Sequence, residues 1–234
     1  MALGDGNLFA AEWPASNQQK AFAEMTLRAA RRGQVPPFIA MDVLRAATER
    51  AEAGADVIHL EVGQPGTPAP QAVREAARRA LDGAPIGYTD ALGIAPLRTA
   101  IAAHYRARYG VAVEPAEIVV TTGSSAAFLL AFLAAFEAGD RVALAVPGYP
   151  AYRNILAALG IEPVLIEVGA NTHYQPTPEL LAAAGPLDGL IVASPANPTG
   201  TMIAAADLLC LAGYCREHGV RLVSDEIYHG ITYE

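Results

Sequence analysis

The chain is poor in lysine: Lys20 is the only one among 234 residues. Basic groups are scarce altogether, with 16 Lys and Arg against 24 Asp and Glu and a formal net charge of -8. A surface of that sign repels a phosphate backbone. Its one arginine group, Arg28, Arg31 and Arg32, reads as a solvated helix face, so no nucleic-acid partner is expected. Cysteine is nearly as scarce. Cys210 and Cys215 cannot build a disulfide framework and lack the spacing of a zinc site, which fits a reducing cytosol. His59, His104, His173, His218 and His229 show no metal-ligand spacing, so no metal is expected. The first residues contain no basic segment followed by an apolar one, so no signal peptide is expected. The most apolar run, Ala126–Phe136, is too short to span a bilayer and reads as a buried helix. Together these point to a cytoplasmic protein without a membrane partner.

What the chain does have is core-forming material. Hydrophobic residues make up 53% of it and charged residues 17%, the balance of a globular protein of one or two domains. Residues 1–20 are polar and without clear period and are expected to form a mobile arm. Ala21–Arg32 and Ala40–Ala53 read as helices stopped by Gly33 and Gly54; on the second, Met41, Leu44, Thr48 and Ala51 share a face. Val57–Val62 alternates as a strand and runs into the Gly/Pro-dense loop Gly63–Pro70. Gln71–Leu81 and Pro96–Tyr109 read as helices with proline at or beside the first turn.

From Ile118 the alternation becomes regular. Strands are predicted at Ile118–Thr121, Arg141–Val146, Glu162–Glu167, Gly189–Ala193 and Val220–Ser224. Helices are predicted at Ser125–Glu137, Ala151–Leu159, Pro178–Ala184 and Ala204–His218, with Phe128, Phe132 and Phe136 on one face of the first. Strands alternating with helices imply an α/β fold: a mostly parallel sheet with flanking helices and right-handed crossovers. The expected division is an N-terminal arm with part of a small helical domain over 1–62, and the sheet domain over 63–234.

Four loops leave the carboxyl ends of predicted strands, where ligands of open α/β sheets bind. The first holds Gly123, Ser124 and Ser125. Free amides at a helix start beside two hydroxyls make an anion site, and an ordinary serine N-cap would use the same residues. The second presents Tyr149 between Gly148 and Pro150, as a stacking face or a turn tyrosine. The third sets Asn197 between two prolines, which aims its amide or makes a rigid β-turn. The fourth brings Asp225 and Tyr228; the acid alone would serve equally as a helix cap or an ion-pair partner. A phosphate cradle, an aromatic face, an amide, a carboxylate and a phenol together suit a flat, phosphorylated pyridine.

In order and spacing these motifs resemble the class I/II pyridoxal-phosphate aminotransferases of fold type I, in the aspartate/aromatic branch, from about Gln34 to Glu234. The residues carrying the resemblance are Ser194-Pro195-Ala196-Asn197-Pro198-Thr199-Gly200, Asp225-Glu226-Ile227-Tyr228, Gly63-Gln64-Pro65-Gly66, and Tyr88 followed by ALGIAPLRTAI. The resemblance implies pyridoxal 5'-phosphate as cofactor and transamination between an L-amino acid and a 2-oxo acid. By the same resemblance Asp225 pairs with the pyridine nitrogen, and Asn197 and Tyr228 hydrogen-bond the ring's phenolic oxygen. Tyr149 stacks on the ring, and Gly123, Ser124 and Ser125 hold the phosphate. It also implies that Tyr88 reaches the phosphate of the neighbouring subunit in a homodimer, and that the Gly63 amide approaches the substrate carboxylate.

The family's Schiff-base lysine has no counterpart here, since Lys20 precedes the matched region. The family's large-domain sheet is ordered 3-2-4-5-6-7-1. The five predicted strands from Ile118 onward correspond to its first five, leaving strand 1 without its sheet neighbours. A C-terminally truncated chain, inactive alone, is therefore expected. The competing readings are a carbon–sulfur lyase or an aminocyclopropane-carboxylate-synthase-like enzyme of the same fold, and a non-catalytic module that binds the cofactor or another phosphate. A ligand-sensing domain of a transcription regulator is disfavoured, because residues 1–33 are too short, and their basic groups too evenly balanced by acids, for a DNA-binding domain.

Overall fold

The apolar runs at 141–146, 162–167, 189–193 and 221–225 pair into one sheet. In the computed structural model, which describes residues 30–36, 39–83 and 85–231, they form β1 (Arg141–Val146), β2 (Glu162–Glu167), β3 (Gly189–Ala193) and β4 (Arg221–Asp225). All pairings are parallel, in the order β2-β1-β3-β4. This is the 3-2-4-5 portion of the expected order. The register sets Val146 beside Glu167 and Ala193 beside Asp225, so the carboxyl ends lie along one edge.

Helices cover both faces of the sheet. The element order supplies α1 (Ile39–Glu52), α2 (Gln71–Gly83), α3 (Ala95–Tyr109), α4 (Ser124–Ala135), α5 (Pro150–Leu159), α6 (Pro178–Ala183) and α7 (Ala205–His218). Alternate strand residues face opposite layers. Val142, Leu144 and Ile191 pack with Phe128, Phe132, Phe136, Tyr152 and Leu156 from the α4–α5 side. Ala143, Leu190 and Val192 pack with Leu181, Leu211 and Cys215 from the α6–α7 side. The phenylalanine stripe is buried as its spacing predicts, while Leu129 and Leu133 beside it remain exposed.

Two expected strands do not form. Val57–Val62 is unpaired, with Ile58 81% and Leu60 89% exposed. Alternation supplies a strand's faces but not its ladder, and no neighbour takes this one up among the described residues. Ile118–Thr121 belongs to no sheet; Val120 N–H donates to the Leu92 carbonyl at 3.0 Å. Its missing ladder agrees with the expectation that the first strand lacks sheet neighbours. The chain divides into two units, Met1–Gln34 and Val35–Glu234. In the first, the described residues form a 3-10 turn, Arg31–Gln34. The arm over 1–20 and nearly all of the helix expected over 21–32 lie outside the described residues.

Candidate active site

The carboxyl edge of the sheet is built by short connections that leave β1, β3 and β4 and by the start of α4. Gly123 is the N-cap of α4 at φ 91°, a conformation a Cβ opposes, and no side chain caps the helix. Ser124 and Ser125 therefore occupy the first helical positions, and the serine-cap alternative does not apply. Both are exposed at a helix start whose first amides have no intrahelical partner, the arrangement that favours an anion.

After β1 the chain turns at Gly148, where a Cβ would stand 2.4 Å from the Ala145 carbonyl oxygen. That close approach places Tyr149 as the N-cap of α5, with Pro150 in its first turn. Tyr149 and Tyr152 meet edge to face, their centroids 5.3 Å apart. Tyr152 is buried against Phe128 and donates its hydroxyl hydrogen to Asp225 Oδ2. Burial, first, and the hydrogen bond to Asp225 hold the Tyr152 proton on well above the usual tyrosine range.

Asp225 ends β4 and is 8% exposed. Its Oδ1 accepts the Ile227 N–H at 3.0 Å, a local turn bond, and it forms no ion pair among the described residues. A carboxylate has about four lone-pair directions, so these two bonds leave acceptor capacity for a ligand. After β3, Asn197 sits half-buried in a tight loop: Ala196 N–H donates to the Thr201 carbonyl at 2.9 Å, and Gly200 N–H to the Ala196 carbonyl at 2.8 Å. Ser194 Oγ accepts the Ile203 N–H at 3.0 Å.

Ser124, Tyr149, Tyr152, Asn197, Asp225 and Tyr228 line one cavity of about 110 Å³. Asn197 and Tyr228 also line a larger open cleft beside it, of about 580 Å³. Gly123 and Ser125 flank Ser124 but do not line the small cavity. Gly63 and Tyr88 lie in exposed segments and line neither. Sequence reasoning missed Tyr152. A signal existed: it stands three residues after Tyr149 in the first turn of a helix, hence on the neighbouring face.

The family described as Aminotransferase class I and II matches residues 55–234. A valine–pyruvate aminotransferase of Mycobacterium tuberculosis is 56% identical over 211 residues, covering 90% of this chain and 54% of that protein. An aspartate aminotransferase of Geobacillus stearothermophilus is 33% identical over 207 residues, covering 88% and 53%. Among solved structures, an aminotransferase from Mycobacterium tuberculosis superposes with a TM-score of 0.86 at 55% identity, covering 89% of this chain and 54% of that one. The aspartate aminotransferase of Thermus thermophilus with maleate gives 0.85 at 35% identity, covering 89% and 56%. The chain thus spans about half the length of the curated relatives it matches. Among the described residues no helix is long and apolar enough to cross a membrane.

Proposed function

The chain belongs to the class I and II aminotransferases, whose members use pyridoxal 5'-phosphate, and from that premise we propose that the carboxyl edge of its sheet holds this cofactor for amino transfer between an L-amino acid and a 2-oxo acid. The observation that carries the reading is the convergence of Ser124, Tyr149, Asn197, Asp225 and Tyr228 on one cavity. The donor set fits the group. An uncapped helix start with two exposed hydroxyls suits a phosphate. A buried acid with acceptor capacity to spare suits a protonated ring nitrogen.

In this reading Gly123, Ser124 and Ser125 bind the phosphate, and Tyr149 covers one ring face. Asp225 keeps the proton on the ring nitrogen. Tyr152, through its hydrogen bond, keeps Asp225 turned toward that proton. Asn197 and Tyr228 donate to the ring's phenolic oxygen. Bound there, the cofactor supplies an electron sink for the substrate α-carbon. The Gly63 amide meets the substrate carboxylate, and Tyr88 completes the phosphate site of a second subunit in a homodimer. The sheet domain over 63–234 is the cofactor-binding part, with residues 1–62 belonging to the arm and small domain.

The 56% identical valine–pyruvate aminotransferase favours an aliphatic amino donor with pyruvate as acceptor over aspartate. The lone lysine, Lys20, lies before the matched residues, so the 234-residue chain by itself does not turn over substrate. Purified chain supplied with pyridoxal 5'-phosphate, valine and pyruvate is expected to form no alanine, and sustained formation would contradict this. In the whole enzyme valine is expected to outpace aspartate as donor to pyruvate. Release of pyruvate and ammonia from a single amino acid would indicate a lyase instead.

A further inference from the structure

Gln175 is a polar side chain that no expected role absorbs, and it is only 6% exposed. Its carboxamide nitrogen points at the two stems of the loop that carries Asn197. It lies 3.4 Å from the Ala193 carbonyl at the end of β3, just before that loop. It lies 3.2 Å from the Thr201 carbonyl and 3.1 Å from Thr201 Oγ1, just after it. Thr201 in turn meets Thr199 Oγ1 at 3.0 Å, and its carbonyl also takes the Ala196 N–H at 2.9 Å. One side chain therefore joins the entry and the exit of the Ser194–Gly200 loop. Gln175 and Asn197, with Tyr149 and Tyr174, also wall one small cavity of about 20 Å³.

The route by which Gln175 gets there is unfavourable in itself. His173 and Tyr174 precede it at φ 50° and φ 57°, two successive non-glycine residues in the left-handed region. A Cβ disfavours each, and such conformations persist where surrounding bonds over-determine them. Here Tyr174 N–H donates to the Gly169 carbonyl at 2.8 Å and Gln175 N–H to the Thr172 carbonyl at 3.0 Å. The turn delivers the Gln175 amide beneath the loop.

We propose that Gln175 is the positioning residue for Asn197: its buried carboxamide clamps both stems of the Ser194–Gly200 loop and so holds the Asn197 amide at the cofactor cavity. This rests on the reading of that cavity as the pyridoxal-phosphate site. Gln175 does not line the cofactor cavity itself. It sets the angle from which Asn197 donates, and its loss loosens a loop whose other bonds are largely internal.

The test has two parts on the 234-residue chain. The first needs no ligand. Hydrogen exchange is followed at the amides of Ala196 and Gly200 in wild type and in Gln175→Met, which keeps the volume and removes the donor. Both amides should lose protection by about tenfold while those of β1 and β2 keep theirs. Unchanged protection at Ala196 and Gly200, or an equal loss throughout the sheet, would overturn the clamp.

The second part uses pyridoxamine 5'-phosphate, which has no aldehyde to react with amines. Gln175→Met should weaken its binding about tenfold when Asn197 is present and leave it unchanged in an Asn197→Ala background. A purely structural role would weaken binding equally in both backgrounds and overturn the proposal. No binding to the wild type would sink the reading of the cavity and the proposal with it, even with the clamp visible by exchange. Thr201→Val approaches the same clamp from the loop side if Gln175→Met folds poorly. It removes one of the three acceptors and should give a smaller effect of the same pattern, whereas no change in loop exchange would count against the clamp.

Discussion

Helices α1, α2 and α3 bury no residue, whereas α4, α5, α6 and α7 each bury one or two. The starting and stopping signals do not explain the contrast. α3 carries proline in its first turn and a left-handed Gly110 at its end, as α5 carries Pro150 and Gly160. What differs is what each apolar face meets. Val73 and Leu81 on α2 face solvent, while Phe132 on α4 and Leu211 on α7 each press on a face of the sheet at 0% exposure. The signals that start and stop a helix lie along the chain; burial needs a partner elsewhere in it. The residues that line the candidate cavity all lie in the second kind of region, where side chains can be held in place.

Substitutions should separate the two regions sharply. Phe132→Ala removes a fully buried ring between α4 and the sheet, and a loss of about 3–5 kcal/mol in urea unfolding is expected. A loss under about 1 kcal/mol would mean that the α4–sheet layer is not the core.

Tyr152→Phe leaves Asp225 Oδ2 without its donor and should cost about 1–2 kcal/mol near neutral pH. It should also change the response to alkali. The Tyr152 pKa is raised in the folded chain, so its stabilising contribution is complete below the ordinary tyrosine pKa of about 10 and fades as pH rises above that value. Wild-type stability should therefore carry a downward component there, of up to about 1.4 kcal/mol per pH unit, that Tyr152→Phe lacks. Parallel stability curves above pH 10 would contradict the buried phenol.

The smallest effect is predicted in the first region. Val73→Ala on the exposed face of α2 should change unfolding free energy by no more than about 0.5 kcal/mol. A larger loss would show that this face is covered in solution.

The same contrast explains how much was legible in the residues. Four strands, the phenylalanine stripe and the loops after β1, β3 and β4 could be read because each is announced by period or by Gly and Pro punctuation. Val57–Val62 alternates and Ile118–Thr121 is a short apolar run, yet neither joins the sheet, because a ladder partner is a property of another segment. At the site, Asp225, Asn197, Tyr149, Ser124 and Tyr228 were readable from motif and strand-end position, and they share a cavity. Gly63 and Tyr88 are carried by the family resemblance alone. Tyr152 and Gln175 act through hydrogen bonds that span 73 and 18 to 26 residues, and no local pattern encodes such a bond.

The central claim is that the carboxyl edge of the sheet is a pyridoxal-phosphate site organised by Asp225. The most direct measurement is equilibrium dialysis of the 234-residue chain against pyridoxamine 5'-phosphate, comparing wild type with Asp225→Ala. Saturable binding at one molecule per chain, weakened on the order of 100-fold by the substitution, is the predicted result. Equal binding by the two proteins, or none by the wild type, would contradict it.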